Sequence, residues 1–147
     1  RSIVYKRRLT LPYGRALDCL TGDCPWPETQ IGREIGYAMD FYPDLEPRVF
    51  LSYERDSWYA PESGLRITFD DAIRFRTADL TLDSDLWGTA LLRPDQVLME
   101  LKAPGAIPLW MVRLLTEMGL YKTSFSKYGT AYQILLEQEY KGGKRYA

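Results

Sequence analysis

The sequence predicts an α+β fold, a meander of antiparallel strands with helices packed outside it. Three observations carry this expectation. "SGLRITFDDAIRFR", residues 63 to 76, alternates with a period of two, sending Leu65, Ile67 and Phe69 to one side and Arg66, Thr68 and Asp70 to the other. "ETQIGREIGYAMDFY" instead spaces Ile31, Ile35, Ala38 and Met39 as one face of a helix. No internal repeat and no linker interrupts the chain, so the elements read as one unit.

Taken in order, residues 3 to 9 read as a strand with Val4, Lys6 and Arg8 on one face. Pro12 opens a short helix, "YGRALDCL", which Gly22 closes. "DCPWPE" is a rigid turn, and the helix after it stops before Pro43. "RVFLSYERDSWYA" is a strand, and "PESG" turns it back into residues 65 to 76 as an antiparallel hairpin. The pair Asp71-Ala72 interrupts that second arm, so two short strands are expected there, with Arg74 and Arg76 on the side of Arg66. "LTLDSDLWGTALL" reads as strand, turn and strand. "DQVLMELKAPG" is a strand with Val97, Met99 and Leu101 opposite Leu98, Glu100 and Lys102. "IPLWMVRLLTEMG" is a helix between Pro108 and Gly119, its Trp110, Leu114, Leu115 and Met118 read as core. A last helix is expected from about Thr130, followed by a frayed tail over residues 141–147.

Composition narrows the function classes. The 147 residues are 46% hydrophobic and 14% aromatic, enough for a folded core. Nineteen Lys and Arg oppose twenty Asp and Glu, so no global field draws the chain onto nucleic acid, and any anion site must be a local cluster of cations. There is no histidine, which excludes a His-ligated metal and any Ser/His or Cys/His nucleophile pair. A disulfide can span the turn between Cys19 and Cys24, but a lone pair in a chain this size reads as reduced cytoplasmic thiols. No run reaches the ~20 apolar residues of a membrane span. Trp26, Trp58 and Trp87 read as packing residues rather than as platforms for a base, and "GGK" at 142 to 144 lacks the rest of a phosphate loop.

The charges on strands pose the functional question. Lys6, Arg8, Arg55, Arg66, Arg74, Arg76 and Lys102 each lie opposite an apolar neighbour, with Asp70 and Glu100 among them. Periodicity is compatible with a solvated face laced by cross-strand ion pairs. The sharper reading is a cavity whose cations hold phosphates and whose carboxylates hold a divalent metal.

The ordered series "VYKRRL", "YERDSWY", "GLRITFD", "LMELKAPGAIPLW" and "SFSKYGTAY" resembles the C-terminal two thirds of a VTC domain. This is the polyphosphate polymerase module of vacuolar transporter chaperone proteins and their bacterial relatives, and the likeness runs from about residue 3 to about residue 133. The resemblance implies a triphosphate tunnel fold, a closed antiparallel barrel with a polar interior. It implies a phosphotransferase that moves the γ-phosphate of ATP onto a growing polyphosphate chain with Mn²⁺ or Mg²⁺. By motif, Arg55 and Arg66 would contact the transferring phosphates, Glu100 the metal, and Lys6, Arg8 and Lys127 the nucleotide or product phosphates. Lys102, Arg74 and Arg76 join that set by strand parity. The first strands of the family pattern are not in these residues, so a partial domain over residues 1–140 is expected, with open sheet edges that favour self-association. A tunnel triphosphatase and a non-catalytic polyphosphate-binding module are the alternatives.

Overall fold

A computed structural model describes residues 6–143, which fall into two compact units, one ending at Glu46 and the other starting at Pro47. In the first, residues 6–12 have no ladder partner and form no strand, while residues 3–5 of the expected strand lie outside the described residues. The proline at position 12 then starts helix α1, Tyr13–Thr21. Helix α2, Gln30–Phe41, begins at Thr29, whose hydroxyl accepts the Gly32 N–H at 3.0 Å and satisfies one of the donors a helix start leaves open. Arg7 forms an ion pair with Glu34 on α2.

The second unit is built on a sheet. Strand β1, Phe50–Ala60, and strand β2, Leu65–Arg76, form the expected hairpin, in register from Ala60 opposite Leu65 to Phe50 opposite Arg76. Where two short strands were expected, β2 runs through as one. It absorbs Asp71-Ala72 in a bulge, because Ser52 faces Arg74 and Glu54 faces Asp71, so β2 carries one residue more than β1 between those pairs. Ala72 takes up the kink at φ +44°. On its other edge β2 pairs with the two-residue strand β3, Thr89–Ala90, and with β4, Leu98–Lys102. Helix α3, Leu109–Glu117, starts at Pro108 as expected, and helix α4, Lys127–Gly143, starts three residues before Thr130.

The result is α+β with an antiparallel sheet of four strands, and the sheet is open. Among the described residues β1 and β4 each pair with β2 alone, so the closed barrel is not formed. The core gathers Phe50, Leu65, Ile73, Phe75, Met111, Ala131 and Leu135.

Further expectations need correction. The first half of "LTLDSDLWGTALL" is not a strand, since residues 77–87 loop around the Arg76 guanidinium. On α3 the buried side chain is Met111, whereas Trp110 is 55% exposed and Leu114 and Met118 are also exposed. Helical spacing marks an apolar stripe but not which residue of it is covered. Trp58 and Trp87 are likewise exposed.

Candidate functional site

Cross-strand partners in an antiparallel sheet share a face, so register places the side chains directly. Three rows cross β1, β2 and β4: Tyr59, Arg66 and Lys102; Ser57, Thr68 and Glu100; Arg55, Asp70 and Leu98. One face of the sheet therefore carries Arg55, Arg66, Glu100 and Lys102 together, although they are up to 47 positions apart in the chain. Lys127, the first residue of α4, brings a further cation to the same face by pairing with Asp70.

Asp70 organises this face. It is 0% exposed, and Arg55 grips it with two bonds, Nε to Oδ1 at 2.5 Å and Nη2 to Oδ2 at 2.7 Å. The fork-on-fork geometry fixes the guanidinium plane as well as its position. The Tyr53 ring lies against both cations, 5.0 Å from Arg55 and 4.6 Å from Lys127. Arg55 holds the Asp70 carboxyl below its ordinary value, Lys127 adds to this, and burial only partly opposes them. The same pairing raises Arg55 further above its already high value.

Glu100 accepts from Lys102, two residues along the same strand, at 2.7 Å. That bond, with Lys127 and Arg55 adding at longer range, lowers the Glu100 pKa against the effect of burial, so the carboxylate is charged at neutral pH. Four cations thus meet two carboxylates on a chain whose formal net charge is -1. The Arg66 guanidinium lies 5.9 Å from the Tyr59 ring. At the middle of the array, the Thr68 hydroxyl is buried and has no hydrogen-bond partner among the described residues. Such a group costs stability unless something completes it. Glu100 also lies in the wall of a cavity of about 440 Å³ that Lys122 and Thr123 help to line.

Arg74 and Arg76 depart from their expected side. The bulge at Ala72 shifts the count by one, so they oppose Ser52 and Phe50, whose side chains leave the other face of the sheet from Arg55. Arg76 is 3% exposed and stacks on Phe50, 3.5 Å from the ring centroid. Its five N–H donors reach the carbonyls of Asp79, Thr81, Asp85 and Trp87 and the hydroxyl of Ser84, leaving none for a phosphate. Arg74 is exposed and donates to the Gly88 carbonyl at 3.3 Å. Lys6 and Arg8 belong to the first unit, where both are exposed on the irregular segment before α1.

Reading the chain by alternation finds Arg55, Arg66, Glu100 and Lys102 but gives Asp70 no role of its own. Its signal was present in "RITFD", where Asp70 shares the face of Arg66 two turns of the pleat away. Among the described residues no three His, Cys, Asp or Glu side chains gather to hold a metal. Glu100 is nevertheless suited to one oxygen of a hard divalent ion that takes its remaining ligands from phosphate and water, since Asp70 is committed to Arg55 and Lys127.

A family model described as the VTC domain matches residues 3–136. No curated protein and no solved structure matches the chain. No helix among the described residues is long and apolar enough to cross a membrane.

Proposed function

From the premise that the chain belongs to the VTC domain family, and so has a polyphosphate-related function, we propose that it serves ATP-dependent polyphosphate synthesis. The transfer moves the γ-phosphate of ATP onto the end of a polyphosphate chain. The supporting observation is the single sheet face on which Arg55, Arg66, Lys102 and Lys127 surround Glu100 and an unpartnered Thr68 hydroxyl.

Phosphoryl transfer asks little covalent chemistry of a protein, and its cost lies in aligning and neutralising oxygens that repel one another. Arg55, held in plane by Asp70, and Arg66, two rows away, supply donors to the oxygens of the transferring group. Lys102 and Lys127 hold the flanking phosphates as point charges, and the Thr68 hydroxyl donates to one phosphate oxygen between them. The acceptor is already an anion, so no protein base is needed, in keeping with the absence of histidine. Glu100 would hold Mn²⁺ or Mg²⁺, which when bound neutralises charge on the phosphate oxygens. The open sheet then serves as one wall of a tunnel through which the chain product passes. Lys6 and Arg8 remain proposed product contacts on the strength of the "VYKRRL" motif alone.

The test is polyphosphate formation from ATP with added Mn²⁺ or Mg²⁺, run beside polyphosphate affinity in chelator. Arg66→Ala is expected to weaken binding and to cut the rate by on the order of 10²–10³. Glu100→Gln is expected to leave metal-free binding equal or tighter while transfer falls, since an amide oxygen is a poorer ligand for a hard ion. Phosphate release without chain growth would replace this reading with a triphosphatase. Binding without any turnover in the parent chain would replace it with a binding module.

A further inference from the structure

Helix α1 ends in a tight turn that brings the chain's two cysteines together. Gly22 takes the left-handed conformation at φ 85° and ψ 6°. The N–H groups of Gly22, Asp23 and Cys24 all converge on the Asp18 carbonyl, the last two at 2.8 and 3.2 Å. This folds Cys24 back against the last turn of α1. The two sulfurs lie 2.9 Å apart with one thiol donating to the other, and both cysteines are free. Cys19 is buried and Cys24 half-buried, so one sulfur meets solvent while the other waits behind it. The hydrogen bond to Cys19 raises the Cys24 pKa, with burial adding to it, so Cys24 rests as a thiol near neutral pH.

We propose that Cys19 and Cys24 are a dithiol modification site, one that closes to an intramolecular disulfide when a small-molecule disulfide is present. The proposal is independent of the phosphate chemistry. In the first step Cys24 loses its proton and its thiolate attacks the external disulfide, breaking that S–S bond, forming a mixed disulfide and releasing one small thiol. Cys19 then loses its proton and attacks the Cys24 sulfur, displacing the second small thiol. Two protein thiols are oxidised and one external disulfide is reduced to two thiols. A helical residue and one five positions on are not ordinarily held in contact, and here the Asp18 carbonyl and the Gly22 turn supply that proximity.

The experiment incubates the chain with mixtures of oxidised and reduced glutathione, quenches with acid and counts thiols by maleimide labelling and mass. The expected product has lost two hydrogens, carries no glutathione and forms at a rate independent of protein concentration. Cys19→Ala should stop at one glutathione on Cys24. Because a buried substitution can unfold a small unit, the same titration is repeated on the unsubstituted chain in strong denaturant. The folded chain is expected to favour the internal disulfide at least about tenfold over the denatured one. A stable glutathione adduct on the native chain, disulfide-linked dimers, unchanged thiols, or equal equilibria in the two states would each overturn the assignment.

Discussion

Asp70→Asn is the sharpest perturbation of the site, because it keeps shape and removes one buried charge. The carboxylate is wholly buried and accepts from both Arg55 and Lys127. An amide has one acceptor oxygen, so one cation would keep a weaker bond and the other would face an N–H₂ group. Breaking a buried pair by removing one partner costs about 3–5 kcal/mol when the remaining charge stays dry. Lys127 is 17% exposed and Arg55 36%, so both recover some water and the loss should fall nearer about 2–3 kcal/mol. Urea unfolding of both proteins across pH measures it. Because the folded-state pKa of Asp70 lies below its ordinary 3.8, its contribution is fully present above that value and is lost as pH falls through the lower one. The difference between the two proteins should therefore be flat above about pH 5 and shrink below about pH 4. A difference below about 0.5 kcal/mol at pH 7, or one that does not narrow in acid, would refute the view of Asp70 as the anchor.

Thr68→Val replaces an unpartnered buried hydroxyl by a methyl group of similar shape, so the unliganded protein should gain up to about 1 kcal/mol in urea unfolding. Polyphosphate affinity in chelator should fall severalfold at the same time, and a variant that loses stability without losing affinity would remove Thr68 from the phosphate contacts. Arg76→Ala should cost about 3–5 kcal/mol, because it leaves the carbonyls of the 77–87 loop without their donor. Proteolysis is expected to cut first within that loop, and cleavage elsewhere would count against Arg76 as its anchor.

Local pattern was enough to place β1, the two halves of β2, β4, α1, α2 and α3, since alternation marks a strand and helical spacing with bounding proline or glycine marks a helix. Alternation also put Arg55, Arg66, Glu100 and Lys102 on strands with a shared polar side, and the motif series gave the family. Arg74 and Arg76 were beyond its reach. A single extra residue at Ala72 inverts every side chain after it, and whether two residues break a strand or bulge is decided by the partner, Ser52 to Glu54, some twenty positions away. "LTL" has the composition of a strand but follows Arg76, whose buried guanidinium takes the loop carbonyls in place of a ladder. The convergence of Arg55 and Lys127 on Asp70 likewise joins a hairpin to a helix more than fifty residues later. Pattern along a chain records which side of an element is polar, whereas only packing between elements fixes which polar groups meet and which are left for a ligand.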